Sequence, residues 1–393
     1  MPANKKHHFV PRFYLRRFSP DGKSINLYNI PSRRRILHAN LRNQCYRDYF
    51  YGKLPVIENA VAGIEAEAAE VFRRIDQFQS LPPPFSTDHI TLLTYVVMQQ
   101  ARTEHEAEAL NEINDAMMQR IMGPKLAAEG IDLSKFKVNL AEPGAMSVAI
   151  TSRISPLALD LHYKLLVDKT GEGFVTSDNP VVACNPLLAF RKFGSNCGIA
   201  SKGLQLYFPI DPGKLMMLYD GGAYSVGSKH SIVVDVTDPS DVHGLNTLQM
   251  CSASANIYFM GDDLDVEALR RKAQPYLRTR KSQFHVLKGR ESTTSGRSEI
   301  LATSRKDVRT NLSLTFTSVR TSMKRWREEA RRERLQPAAE VRMPHILEAF
   351  REFEDDVRKG KRPPTEFLQE VVEAYRRMAF GRKEPEGEDS GDG

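Results

Sequence analysis

The sequence has few cysteines and no long apolar run. Its four cysteines are spread over 393 residues without a Cys-x-x-Cys pair, which excludes a zinc ribbon and a secreted disulfide framework. The longest apolar run, residues 92–98, is interrupted by Thr94 and is too short to span a bilayer. No apolar leader follows Lys5 and Lys6. We therefore expect reduced thiols, no membrane contact and a cytoplasmic location.

The bulk composition is that of an ordinary globular protein. Hydrophobic residues make up 41% and charged residues 27% of the chain, which excludes collagen and wholesale disorder. We expect four segments, which are an α+β core domain (1–290), a linker that can include a last strand (291–317), a helical C-terminal extension (318–380) and a disordered acidic tail (381–393).

Hydrophobic periodicity predicts the order of the elements. Residues 25–30 and 33–39 alternate as a short hairpin, and Val56–Phe78 has helical spacing. A second long helix should begin near Asp88, with Ser86 or Thr87 as its N-cap, and run into the 120s. Strand patterns dominate from residue 163 onward. The predicted class is α+β, with small N-terminal strands and turns, two long helices, a central mostly antiparallel sheet and a helical C-terminal extension.

Positive charge is concentrated at the start of the chain. Residues 1–51 hold eleven Lys and Arg against two Asp, a local net charge of +9, while the other 342 residues carry −2. Such a distribution is typical of a surface that binds a polyanion. A solvated face whose charge is neutralised by acids elsewhere in the fold would have the same sequence.

The opening stretch KKHHFVPRFYLRRF places two adjacent histidines before a Val-Pro step. His7 and His8 resemble the first strand of ββα-metal nucleases, in which one His holds a divalent metal and its neighbour acts as general base. Adjacent strand residues point to opposite faces, so both can serve one site only at a bulge or strand end. Residues 46–51 lack the final His of that pattern. The alternative is structural, with one His packed and the other capping a turn near Asp21 or Asp178.

A second polar motif, Thr-Ser-Asp-Asn-Pro, lies in the middle of the chain. Pro180 cannot donate to a strand ladder and restricts Asn179 to an extended conformation, so a strand should end here. In a functional interpretation Asp178 is a metal ligand or orients an N-terminal histidine, and Thr176 and Ser177 bond substrate oxygens. In the structural interpretation Asp178 forms an Asx-turn with its own backbone.

Arg102 emerges beside the apolar stripe of the second helix, so it should point inward or toward a cleft. A buried Arg either pairs with a carboxylate or binds an anion. Glu58 and Glu65 are seven residues apart on one helical face and are candidate partners for Arg102 or for a metal.

Five segments in this order, HHFVPRFYLRRF, QQARTE, FVTSDNPVV, LYFPID and HGLNTLQM, resemble the bacterial family catalogued as domain of unknown function 4238. The resemblance covers about residues 7–262. It assigns no activity. It implies that the polar motif positions come together in one site, because packing alone would select apolar residues. The positions that match are His7, His8, Pro11, Tyr14, Leu15, Asp178, Asn179 and Pro180, with Arg102 and Asn246 at weaker ones.

Together these observations predict a metal-dependent phosphodiesterase or nuclease, with a role in bacterial defence or stress. His7, His8 and Asp178 are the predicted catalytic residues, and His7 and Asp178 the predicted ligands of Mg²⁺ or Mn²⁺. Two other functions fit the sequence: a non-catalytic sensor that binds nucleic acid or a nucleotide, and a scaffold whose C-terminal helices dock a protein partner or a second copy. The predicted substrate-binding residues are Arg12, Arg16, Arg17, Arg102, Thr176, Ser177 and Asn179, with residues 33–35 adding basic surface.

Overall fold

The fold is α+β, as the sequence predicts, with several mostly antiparallel sheets and a helical C-terminal part. Within the described ranges, every helix is too short or too polar to cross a membrane. The structure is a computed structural model that describes residues 5–191, 196–276, 283–288, 299–304, 308, 312–332, 340–363 and 366–380.

Helices and strands come mostly in groups along the chain, with helices between residues 56 and 154, then strands between residues 162 and 236, and helices between residues 321 and 380 at the end. The strands are β1 (Lys6–His8), β2 (Ser24–Asn29), β3 (Arg34–Asn40), β4 (Tyr46–Asp48), β5 (His162–Asp168), β6 (Thr176–Ser177), β7 (Val182–Cys184), β8 (Gln205–Asp211), β9 (Lys214–Tyr219), β10 (Tyr224–Val226), β11 (Val233–Val236), β12 (Asn256–Phe259), β13 (Gln283–Lys288), β14 (Glu299–Ser304) and β15 (Thr317–Val319). The helices are α1 (Arg12–Leu15), α2 (Val56–Phe78), α3 (Thr87–Ala101), α4 (Glu104–Ala128), α5 (Pro143–Ile154), α6 (Pro239–Ser252), α7 (Val266–Ala273), α8 (Thr321–Arg332), α9 (Pro344–Arg358) and α10 (Glu366–Phe380).

Two sheets form the centre of the fold. The five-stranded sheet has the order β11-β5-β9-β8-β7 and is antiparallel except for the parallel pair β11 and β5. The four-stranded sheet has the order β3-β2-β12-β6 and is antiparallel throughout. Since β2 and β6 flank β12, the start of the Thr-Ser-Asp-Asn-Pro motif lies in the same sheet as the N-terminal hairpin, one strand away from it.

The second long helix differs from its prediction, because it is two helices. Ser86 is the N-cap of α3 and accepts a hydrogen bond from the backbone N–H of His89 at 3.2 Å. The helix then ends at Arg102, and Thr103 adopts an extended conformation and caps α4 by accepting from the N–H of Glu106 at 3.4 Å. The order Thr-Glu-His-Glu is a capping-box pattern, which favours a new helix start over continuation.

A strand ends at the Thr-Ser-Asp-Asn-Pro motif, as the sequence predicts. The short strands β6 and β7 are separated within the motif, at Asp178–Pro180, because Pro180 has no N–H for a ladder. The linker expected at residues 291–317 contains β14, which pairs with β13, and β15, which pairs with β10. The acidic tail at 381–393 lies outside the described residues.

The C-terminal helices α9 and α10 pack on the main core. Phe353, Phe367 and Val371 belong to the same buried apolar cluster as residues of α2 and α3. Arg342, just before α9, forms a buried ion pair with Asp160 at 2.7 Å. The buried apolar residues of these two helices therefore pack against the rest of the chain.

Candidate functional site

His7 lies in β1, which pairs with β4, and its ring is buried and stacked on Tyr51 with centroids 5.6 Å apart. The backbone N–H of Tyr51 donates to Nδ1 at 3.1 Å, so Nδ1 must carry a lone pair. The ring proton is therefore on Nε2, which donates to the Glu58 carboxylate at 3.1 Å. Both ring nitrogens are used in this arrangement. Neither offers a lone pair to a metal or to a proton of a substrate.

His8 has the opposite tautomer. Its Nδ1 lies 3.0 Å from the carbonyl oxygen of Gln44, and because a carbonyl only accepts, Nδ1 carries the proton. Nε2 is left with its lone pair on a half-buried ring. The pKa of His8 is lowered to about 4, mainly by burial and in addition by the positive charges of Arg12, Arg102 and Lys6, while the hydrogen bond to the Gln44 carbonyl opposes this shift. At neutral pH His8 is an uncharged imidazole with a basic nitrogen.

Arg102 ends α3 and is fully buried. Its Nε donates to the carbonyl oxygen of Phe9 at 3.1 Å, which also accepts from Gln99 Nε2 at 3.0 Å. Nη1 lies 2.7 Å from Glu65 Oε1, so Arg102 pairs with a carboxylate, one of the two uses expected. Burial alone would lower the pKa of Arg102, but its interactions with Tyr51, Glu65 and Tyr95 together raise it.

The residues around Arg102 and His7 form one inner polar cluster between β1, α2 and α3. The two glutamates on the shared face of α2 are its outer members, since their side chains are 20% and 24% exposed while those of His7 and Arg102 are sealed. This cluster ties the N-terminal strand to both helices. Its members are His7, Tyr51, Glu58, Glu65, Gln99 and Arg102.

Asp178 does not form the Asx-turn expected from the sequence. Its carboxylate instead accepts three backbone N–H groups across the chain, from Ser254 at 2.7 Å, Ala255 at 2.6 Å and Asn256 at 3.0 Å. These three N–H groups lie between the end of α6 and the start of β12, and all of them point toward the Asp178 carboxylate. Asp178 is buried and joins this turn to β6. These contacts give Asp178 a structural role, which is to hold the turn before β12 against β6.

The neighbours of Asp178 in the motif are engaged in the same way. Ser177 Oγ accepts from Gln249 Nε2 at 2.6 Å and from the N–H of Asn179 at 3.0 Å. Asn179 Nδ2 donates to the carbonyl and hydroxyl oxygens of Ser252, both at 3.1 Å. Thr176 is fully buried. Ser177 and Asn179 thus hold β6 to α6. All three residues were predicted to bind substrate, and at most 8% of each is exposed.

The two sequence motifs meet through a buried hydrogen bond. Tyr14 donates its hydroxyl proton to the carbonyl of Pro209 at 2.7 Å, so the Tyr14 oxygen accepts from Thr176 Oγ1 at 2.6 Å. On the other side of Thr176, Tyr258 pairs with it in the β12–β6 register and reaches Cys45 Sγ at 3.2 Å. The two motifs therefore touch in the core through Tyr14 and Thr176. His7 and Arg102 instead pair with glutamates of the inner polar cluster, and Asp178 binds the turn before β12.

Arg17, predicted to bind substrate, is held inside the protein. Its guanidinium donates to both carboxylate oxygens of Asp76, at 2.7 and 2.9 Å, to Asp211 at 3.0 Å and to the carbonyl of Ile210 at 2.8 Å. Burial opposes the charged form, but Asp76 and Asp211 raise the pKa of Arg17 overall. These contacts leave Arg17 little capacity for a phosphate.

Four exposed cations lie on a second surface, which we call the basic face and define as Arg12, Arg16, Lys23 and Arg42. The 3₁₀ turn Leu41–Asn43 packs against α1, and the buried Leu41 donates its N–H to the carbonyl of Lys23 at 3.0 Å. In the part of the chain that the structure describes, no carboxylate forms an ion pair with these four residues. Lys23 and Arg42 were missed as individual candidates, although the local charge excess includes both.

The predicted metal ligands do not fit a metal. His7 uses both ring nitrogens, and Asp178 uses both carboxylate oxygens on backbone N–H groups. Across the described ranges, no group of three or more His, Cys, Asp or Glu side chains is arranged to hold a metal ion. The cysteines Cys45, Cys184, Cys197 and Cys251 are free thiols, as expected.

Comparison with known proteins agrees with the sequence resemblance and adds no activity to it. No match was found among curated proteins or among solved structures. The match to a family model extends over about two thirds of the chain and includes β1, the inner polar cluster, the basic face and the Thr-Ser-Asp-Asn-Pro motif. That family model, described as Protein of unknown function (DUF4238), matches residues 6–263, and the chain therefore belongs to this family.

Proposed function

We propose that the protein binds nucleic acid through the basic face. The observation that supports this is the set of four exposed cations, from three neighbouring segments, that no carboxylate of the described chain neutralises. Asp21 is the nearest acid in sequence, and its carboxylate accepts the N–H groups of Lys23 at 2.8 Å and Ser24 at 2.7 Å. The four cations and this one acid leave the face with a net charge of +3.

If the basic face contacts phosphates, the salt dependence of the binding constant can be predicted. Each phosphate that is neutralised adds about −0.9 to the slope of log K against log salt for duplex DNA and about −0.7 for a single strand. Contact with four phosphates should therefore weaken binding about 150-fold for a duplex and about 50-fold for a single strand between 50 and 200 mM salt. Non-ionic binding would change far less over the same range.

The test is fluorescence anisotropy with labelled 20-nucleotide strands and duplexes at several salt concentrations. The double variant Arg12→Gln/Arg16→Gln should bind more weakly, with a salt slope smaller in magnitude by about 1.4 to 1.8. The double variant Lys125→Gln/Lys137→Gln makes the same charge change at exposed lysines of α4 and the loop after it, and should retain the wild-type slope. Equal weakening in both variants would show only the effect of net charge and remove the proposed site.

Phosphodiester cleavage by His8 is the second candidate, and the tautomer of the ring favours it. The Gln44 carbonyl fixes the proton on Nδ1, so Nε2 can accept a proton from an attacking water while the nearby Arg12 stabilises negative charge on a phosphate. The low pKa keeps His8 unprotonated at neutral pH and also makes it a weak base.

Cleavage is tested with the same strands and duplexes, with Mg²⁺, with Mn²⁺ and with a chelator. Product formation by wild type that is lost in His8→Gln, with His38→Gln as the exposed control, would support this candidate. If wild type and His8→Gln yield the same amount of product, His8 is not the catalytic base and this candidate is wrong. If neither yields any, the proposal is binding alone.

A further inference from the structure

An aromatic surface formed by Tyr46 and His8 lies beside the basic face. Tyr46 in β4 lies opposite His8 in the β1–β4 register, and the two ring centroids are 5.8 Å apart at an angle of 54°. Lys6 places its ammonium 4.4 Å from the centroid of Tyr46. The Tyr46 side chain is only half-buried. Two flat rings and a cation are thus presented together at the start of the chain.

This aromatic surface and the basic face are next to each other. The His8 ring is held by the Gln44 carbonyl, two residues after Arg42, and the charge of Arg12 is close enough to act on His8. A chain of nucleotides that passes over the cations would therefore place its bases beside Tyr46. In a duplex the bases are stacked on one another and unavailable, whereas single-stranded bases can stack on a protein ring.

We infer that the ligand of the basic face is single-stranded nucleic acid, with one base stacked on Tyr46 beside His8 and with Lys6 near the adjoining phosphate. The inference rests on the proposed function and specifies its substrate class. Stacking of a base on an aromatic ring is tolerant of sequence, so the preference is for strandedness rather than for a motif.

The experiment compares dT20, rU20 and a 20-base-pair duplex in the anisotropy assay with the full chain. Tyr46→Leu should weaken binding of dT20 and rU20 about 5- to 150-fold, the range measured for loss of one stacked base, and should change duplex binding less than about twofold. The salt slope should stay at the wild-type value, because no cation is removed. Tyr46→Phe keeps the ring and should bind as wild type.

Controls separate this inference from the proposed function. Phe136→Leu removes an aromatic side chain that is 61% exposed, away from the basic face, and should bind as wild type. If Tyr46→Leu binds dT20 as wild type does while Arg12→Gln/Arg16→Gln is weakened, the stacking inference is wrong and the proposed function stands. Binding to vesicles of anionic lipid with none to nucleic acid would overturn both.

A crosslinking measurement avoids dependence on the folding of Tyr46→Leu. A dT20 strand carrying 5-iodouracil is irradiated on the wild-type chain, and the adduct is located by mass spectrometry. An adduct on Tyr46 or His8 is the expected result. Adducts confined to peptides outside residues 5–51 would overturn the inference.

Discussion

The geometry of the ion pair between Arg102 and Glu65 predicts which of the two residues is more costly to replace. Arg102 is fully buried, whereas the Glu65 side chain is 24% exposed. In Glu65→Gln the guanidinium keeps its charge in a place that water does not reach. In Arg102→Met the remaining Glu65 carboxylate can turn toward solvent, and the Phe9 carbonyl keeps its hydrogen bond from Gln99. We therefore expect Glu65→Gln to be the more destabilising change.

The magnitudes follow from the same contacts. Two unit charges about 4 Å apart interact by about 4 kcal/mol at an effective dielectric constant of about 20. Breaking a buried pair and leaving one charge typically costs about 3–5 kcal/mol. Because the amide oxygen of Gln can still accept a hydrogen bond, Glu65→Gln should lower the free energy of unfolding by about 3 kcal/mol. Arg102→Met loses a charged hydrogen bond to Phe9, about 2 kcal/mol.

Urea unfolding, followed by circular dichroism and by fluorescence of the one tryptophan, Trp326, gives these free energies. The double variant Glu65→Gln/Arg102→Met should be about as stable as Arg102→Met alone, since no buried charge remains. A Glu65→Gln protein within about 1 kcal/mol of wild type, or more stable than Arg102→Met, would refute the reasoning.

Two further predictions concern buried groups. Tyr14→Phe removes the hydroxyl that joins Pro209 and Thr176, which leaves two buried groups unpaired and should lower the free energy of unfolding by about 1–3 kcal/mol in urea titrations. Burial lowers the pKa of His89 to about 4. Below about pH 6.5 the unfolded chain therefore binds a proton at His89 that the folded chain does not bind. The contribution of His89 to the free energy of unfolding is complete above about pH 6.5 and falls by up to about 3 kcal/mol as the pH is lowered toward 4. His89→Gln should lose less stability than wild type between pH 7 and 4.5, and the exposed-site variant His230→Gln should follow wild type; parallel curves for all three would contradict the assignment.

The sequence predicts elements well where one face is apolar. The bounds of α2 agree with the sequence to the residue, because amphipathic spacing and flanking prolines mark both ends. The break between α3 and α4 could have been found from the Thr103-Glu-His-Glu106 capping pattern. The parallel pairing of β11 with β5 could not have been found from the sequence, because the choice of partner between distant strands leaves no local pattern.

The sequence identified polar residues of the inner polar cluster and of the Thr-Ser-Asp-Asn-Pro motif, but it did not reveal their roles. Helical spacing alone placed Glu58 and Glu65 on one face, and they do pair with His7 and Arg102. The role of Asp178 depends on three N–H groups some 76 residues further along the chain, which no local pattern reveals. Polar residues in a motif are equally suited to bind a substrate or to satisfy buried backbone groups.

The difference between the two histidines follows from the alternation of a strand. His7 faces inward because β1 pairs with β4 in a regular register, and its partners there are a donor at Nδ1 and a carboxylate at Nε2. His8 must then point to the other face, where the partner at Nδ1 is an acceptor. A metal site shared by both rings would require His7 to give up the N–H of Tyr51 or its bond to Glu58, and would leave a buried group without a hydrogen bond. Of the two rings, His8 is therefore the one that keeps a nitrogen lone pair for the proposed cleavage, and His7 holds the strand on which His8 lies.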